Sequence, residues 1–187
     1  LITSLALGLA FKMRFWNIGG EGEFLIGAIC AATVAFNCPG LPKPVVILLM
    51  CAAAMLSSGI IGLAVATLKV RFNTNETLMT LMINYIVLYL IRYIGDTKAD
   101  WNFFLRKDSQ RPIFGEFADN AKMGGIMLGN FTLLYSVVVA VILTVIVYAY
   151  LKFTKRGYEI SVVGDSSATA KYAGMNVGRI VKRTMFW

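Results

Sequence analysis

Val45 to Leu68 reads VVILLMCAAAMLSSGIIGLAVATL, without one charged side chain. A helix needs about 20 consecutive apolar residues to cross the hydrocarbon core of a bilayer, and this run supplies them. Transmembrane barrel strands would alternate polar and apolar residues with period two, which this run does not do. Within it Ala54, Ser58, Gly62 and Ala66 recur every four residues, so one helix face is a stripe of small side chains. Such stripes let helix backbones approach closely in lipid, so the stripe is expected to pack against another helix.

The rest of the chain agrees with that reading. Of its 187 residues 58% are hydrophobic and only 15% charged, with mean hydropathy +0.69, which excludes an ordinary soluble domain. The expected fold is all-α, a polytopic transmembrane helical bundle forming part of a single domain. Spans are expected at 17–36, 45–68, 77–95 and 130–151, with the end of a truncated one at 1–11 and the start of another at 184–187. The first residue is Leu1 and the last residues turn apolar again, so the sequence reads as an internal piece of a longer protein.

Net charge is +8, but its placement matters more. Lys12, Arg14, Lys69, Arg71 and the basic segment 152–183 all fall on one side if the helices alternate direction. By the positive-inside rule that side is cytoplasmic. The opposite side then holds the loop 96–129, where Lys98, Arg106, Lys107, Arg111 and Lys122 balance Asp96, Asp100, Asp108, Glu116 and Asp119. Basic residues spread along membrane edges, without interleaved aromatics on a soluble face, exclude nucleic acid as a partner. Cys30, Cys38 and Cys51 lack metal-ligand spacing and the chain has no histidine, so no metal site is expected. No HExxH motif, no aspartate pair within a span and no G-x-x-x-x-G-K-S/T loop is present, so neither catalytic residues nor a nucleotide site is expected in this chain.

Three stretches carry polar chemistry. From Phe15 the chain reads FWNIGGEGE, which sets Glu21 and Glu23 beside an otherwise membrane-like run. A charge at the bilayer centre costs about 2.5 to 3.5 kcal/mol on insertion scales, so these acids either face a cavity or partner, or lie solvated in the headgroups near Lys12 and Arg14. Glycines at 19, 20 and 22 permit a broken helix, whose free backbone dipoles can hold a polar solute. The second stretch, NETLMTLMINY from Asn75, places Thr77, Thr80 and Asn84 on one face of a helix that either Asn73, paired with Glu76, or Asn75 can cap. Asn84 suits a helix-to-helix hydrogen bond or a polar ligand. In the third, GYEISVVGDSSATAKYAGMNVGR from Gly157 to Arg179, Asp165 or Ser166 can cap a helix of about two turns that Gly174 ends in a left-handed turn. Its small body of Ala168, Ala170, Tyr172 and Ala173 suits a shallow groove on another protein.

Together these stretches resemble the permease subunits of ABC importers, in the subfamily that handles simple sugars and nucleosides. Phe15 to Glu23 is similar to that family's F-N-I-G-x-E-G-Q stretch, with Trp16 before Asn17 and Glu23 in place of glutamine as departures. Asn75 to Tyr85 resembles its N-E-x-x-x-T-L-M-x-N-Y motif. The resemblance implies that the short helix, with Asp165, Ser166, Ala168, Ala170, Lys171, Tyr172, Ala173 and Gly174, is the coupling helix that docks on an ATP-hydrolysing subunit. It implies a substrate pathway whose candidates are Asn17, Glu21, Glu23, Thr80 and Asn84. Further implied are a second permease subunit, an extracellular substrate-binding lipoprotein on the outer loop, and a multi-pass place in the cell membrane. ATP and Mg would sit on the partner subunit, with no cofactor on this chain. The motif forms look more like nucleoside permeases than ribose-type ones, and close relatives carry sugars or branched-chain amino acids. The competing class is an ion- or proton-coupled carrier in which Glu21 and Glu23 titrate, which leaves the docking-type loop unused.

Overall fold

The structure, a computed structural model, describes residues 2–107, 109–128 and 131–186. Leu1, Asp108, the loop-to-span boundary at Gly129 and Asn130, and Trp187 lie outside the described residues. In chain order the elements are α1 (Ile2–Lys12), α2 (Gly20–Asn37), α3 (Lys43–Phe72), α4 (Glu76–Asp96), β1 (Gly125–Leu128), β2 (Phe131–Leu134), α5 (Tyr135–Phe153), α6 (Lys155–Asp165), α7 (Ser167–Tyr172) and α8 (Val177–Phe186). Three of the helices, α3, α4 and α5, are long and apolar enough to cross a membrane.

Local chemistry sets the boundaries. Pro42 precedes α3 and Pro44 sits in its first turn, where a missing N–H costs nothing because those amides lack helical partners. At 30 residues α3 is about 45 Å long, so it exceeds the bilayer core, and its last turn carries Lys69 and Arg71. Asn73 ends it in the left-handed conformation at φ 50°. The cap of α4 is Asn75, whose Oδ1 accepts from the Thr77 and Leu78 amides at 3.0 and 3.2 Å. Glu76 turns back to Lys69 in an ion pair of 2.7 Å that closes the α3–α4 connection.

The small-residue stripe of α3 is the packing seam of the bundle. A methyl group added to Gly27 of α2 would lie 2.7 Å from Ser58 Oγ and 3.4 Å from the Ala54 carbonyl oxygen, so the two backbones nearly touch. Farther along, Gly59 and Gly62 face the backbone of Phe186 and Met185, which seats α8 against the same helix. Lipid offers helices no hydrophobic drive to associate, so such close contact is what holds them together.

The chain ends of these helices collect at two poles. At one, the Asn120 side chain donates to the Pro39 and Leu41 carbonyls at 2.8 and 3.1 Å, and Phe36 packs against Phe103, Phe104 and Phe117. This ties the loop after α4 onto the α2–α3 turn. At the other pole an apolar core joins Ala10, Met13, Phe15, Val65, Ala66, Ile160, Val163, Ala170, Ile180, Val181 and Met185, drawn from α1, the turn after it, α3, α6, α7 and α8.

Two departures from the sequence reading stand out. The segment 152–183 is three helices in place of a loop with one. α6 and α8 each bury one face, Gly157, Ile160, Val163 and Gly164 in the first and Ile180, Val181, Thr184 and Met185 in the second. Both are amphipathic at helical spacing, and the charged residues of their outer faces make the segment as a whole read as polar. Residues 131–134, expected to open a span, instead pair antiparallel with 125–128, and α5 begins at Tyr135.

Candidate functional site

Between α1 and α2 the chain unwinds from Met13 to Gly19. Helix α1 stops because Arg14 takes φ 55°, and the Phe15 amide reaches back to the Ala10 carbonyl at 3.0 Å. Phe15 then buries into the core while Trp16 stays exposed. Asn17, only 2% exposed, folds the turn on itself: its Oδ1 accepts from the Gly19 amide at 2.8 Å and its Nδ2 donates to Glu23 Oε1 at 3.1 Å.

Ile18 has no helical partner for its backbone, and α4 supplies one. The Ile18 N–H donates to Thr80 Oγ1 at 3.1 Å, and Asn84 Nδ2 donates to the Ile18 carbonyl at 2.8 Å. Asn84 Oδ1 accepts from the Gly22 amide at 2.7 Å. The Thr80 hydroxyl is directed at the Glu76 carbonyl, 2.8 Å away. Ser58 of α3 donates to the Glu23 carbonyl at 2.7 Å, a tether that sequence does not announce, since Ser58 reads there only as one of the small residues of the stripe.

This arrangement brings Asn17, Glu23, Thr80 and Asn84 into one network, and leaves Glu21 exposed outside it. The polar atoms of Thr80 and Asn84 are spent on the backbone of the turn. They hold an interrupted helix in place, which is where their stripe on α4 points. Of the two acids, Glu23 is half-buried with one carboxylate oxygen taken by Asn17, and Glu21 is exposed. Among the described residues no three His, Cys, Asp or Glu side chains gather as a metal site would require.

At the basic pole, Ser166 caps α7 by accepting from the Thr169 amide at 3.2 Å, whereas Asp165 is the last residue of α6. Gly174, at φ +74°, lets the chain turn so that the Met175 amide returns to the Ala170 carbonyl at 3.0 Å. Tyr172 is 92% exposed, flanked by exposed Ala168, Lys171 and Ala173. Ala170 is a correction to the expected docking face. It is fully buried against this chain's own core, since a six-residue helix must turn one side inward to be held at all. Behind α7, Arg183 of α8 pairs with Glu159 of α6 at 2.9 Å.

Sequence reasoning also passes over Gly164. A side chain there would run into the Lys12 carbonyl oxygen, so the α6 backbone lies directly on the end of α1. The spacing of Gly157 and Gly164, two helical turns apart on the buried face, is the available signal.

Residues 1–186 match the family described as branched-chain amino acid transport system / permease component. The guanosine ABC transporter permease protein NupP of Bacillus subtilis is 29% identical over 99% of this chain and 52% of its own length. The nucleoside ABC transporter permease protein NupB of Lactococcus lactis is 26% identical over 99% of this chain and 51% of its own. The glucose ABC transporter permease protein TsgB13 of Haloferax volcanii is 27% identical over 94% and 47%. The chain thus spans about half the length of these relatives. No solved structure matches. A match along essentially the whole chain, joined to a bundle with three membrane-length helices, places this protein in the branched-chain amino acid transport system permease family, as a multi-pass protein of the cell membrane.

Proposed function

We propose that the protein is the transmembrane subunit of an ATP-driven importer for a nucleoside or a simple sugar, coupled to a separate ATPase subunit through α7. The observation that carries this reading is α7 itself. It is a short capped helix at the basic pole, anchored inward by Ala170 and presenting Tyr172, Lys171, Ala168 and Ala173 outward. An exposed tyrosine beside small residues is the kind of anchor that fills a groove on a partner. The named relatives are permeases for guanosine, nucleosides and glucose, which supports this solute class.

In this reading ATP and Mg belong to the partner subunit. A second permease subunit, identical or homologous, completes the pathway. An extracellular binding lipoprotein docks at the opposite pole, over the loop 97–124. The candidate pathway is the unwound turn, with Asn17, Thr80 and Asn84 as its supports and Glu23 and Glu21 as the groups that meet solute.

Co-purification tests the coupling. Tyr172→Ala, made in the full-length protein, leaves the fold intact because the side chain touches so little of its own chain. The bound ATPase subunit is expected to fall by about tenfold or more, as for loss of an interface hot spot. Retention of the subunit at the wild-type ratio would show that α7 is not the docking element.

A further inference from the structure

We propose that Gly164 is a positioning residue for transport, the contact through which movement of α6 and α7 is passed to the solute-side turn. The inference rests on the importer reading and deepens it.

Four observations connect the two sites. First, α6 and α7 are joined by the single residue Ser166, whose side chain caps α7 and whose amide donates to the Val162 carbonyl of α6 at 3.0 Å. The two short helices therefore share one corner. Second, Gly164 in the last turn of α6 lies on the Lys12 carbonyl and on Met13, where a methyl group would be 3.3 Å from the Met13 Cα. Contact is backbone to backbone, so there is no flexible side chain to absorb a displacement. Third, Ala170 of α7 and Met13 and Phe15 of the turn are buried in the same core as Ile160 and Val163. Fourth, two residues beyond Phe15 stands Asn17, which sets Glu23, and then Ile18, which is bonded to Thr80 and Asn84 of α4. Close-packed interiors transmit strain and do not deform smoothly. A push on α7 therefore moves the end of α1 and the turn, while the Ile18 bonds pass it to α4.

The geometry makes α1, the turn, α6 and α7 one body during the cycle. Gly164→Ala inserts a methyl group into its contact plane and so separates the two halves without touching Tyr172 or any polar atom of the turn. The experiment uses the full-length permease with its ATPase subunit in proteoliposomes, with radiolabelled guanosine as the probe and Gly8→Ala as the control, since nothing lies within 4 Å of a methyl group at Gly8. For Gly164→Ala the ATPase subunit stays bound and ATP hydrolysis continues, while guanosine taken up per ATP falls about tenfold, within the range produced by changes along coupling networks. The control keeps wild-type uptake per ATP. Unchanged uptake per ATP in Gly164→Ala overturns this inference and leaves the importer reading standing. Absence of any ATPase subunit from the wild-type complex overturns both.

A second measurement does not depend on that variant folding. Spin labels are placed at Phe11 of α1 and Tyr158 of α6, both exposed, in protein that keeps Gly164. The distance between them is expected to stay constant between nucleotide-free and ATP-bound states of a complex that is transporting. A change of more than about 2 Å, the scale of helix shifts in switching proteins, shows that the two helices move separately and overturns the inference.

Discussion

Asn84 illustrates how a polar residue inside a membrane helix can be read two ways. Its carboxamide could bind a ligand, but both of its polar atoms hold the backbone of the turn, at Ile18 and at Gly22. Removing them strands the buried Gly22 amide, at about 1 to 3 kcal/mol, and frees the part-buried Ile18 carbonyl. Asn84→Leu is therefore expected to lower the amount and the melting temperature of folded protein in detergent together with solute affinity. Loss of affinity at unchanged stability would return Asn84 to the solute itself. Arg14 makes the opposite prediction. It holds the left-handed position that ends α1 although it carries a Cβ, which costs about 1 kcal/mol relative to glycine. Arg14→Gly should raise the melting temperature, and a lower one would mean that the guanidinium contributes more than the backbone saves. At this scale the sequence is only partly legible. It names Asn17, Thr80, Asn84 and the glutamates from type and spacing, but choosing Asn75 over Asn73 as a cap needs the backbone angle at Asn73, and Ala170 is buried in a core shared with Met13, Phe15 and Val65, far away in the chain.

At the level of elements, apolar runs locate helices better than they locate helix ends. For α3 the apolar run stops at Leu68 but the helix continues to Phe72, because Lys69 and Arg71 are good helix formers and Lys69 finds an ion-pair partner in Glu76. The end comes where Asn73 turns left-handed, a matter of conformation that composition does not record. Segment 152–183 reads as a loop for a related reason: α6 and α8 are apolar on one face only, and the composition of the whole segment conceals this. The cap of α7 can be tested directly. Ser166→Ala removes the acceptor for the Thr169 amide and should cost the short helix about 1 kcal/mol. Because α7 is only six residues long, amide exchange in 167–173 is expected to speed up about fivefold while exchange in α3 is unchanged. Uniform exchange across both would place the stability of α7 wholly in its packing.

For the whole molecule, the two poles have different characters, and that asymmetry underlies the proposed mechanism. One pole carries the excess of basic residues, the buried core and α7; the other carries the charge-balanced loop tied down by Asn120 and the aromatic cluster around Phe36. The α1–α2 turn sits at the same end of the bundle as α7, in contact with the core on one side and with α4 on the other. The proposed importer requires this proximity between the surface proposed to meet an ATPase and the element proposed to meet solute. An ion-coupled carrier would not require α7 to be exposed and would place its titrating acids at the centre of the mechanism. The most direct measurement is uptake of radiolabelled guanosine into proteoliposomes holding the full-length permease and its ATPase subunit, with ATP inside and no ion gradient, compared with an imposed proton gradient and no ATP. The importer account predicts accumulation that requires ATP and is lost in Tyr172→Ala. Accumulation driven by the proton gradient alone, unaffected at Tyr172 and abolished in Glu23→Gln, would contradict it.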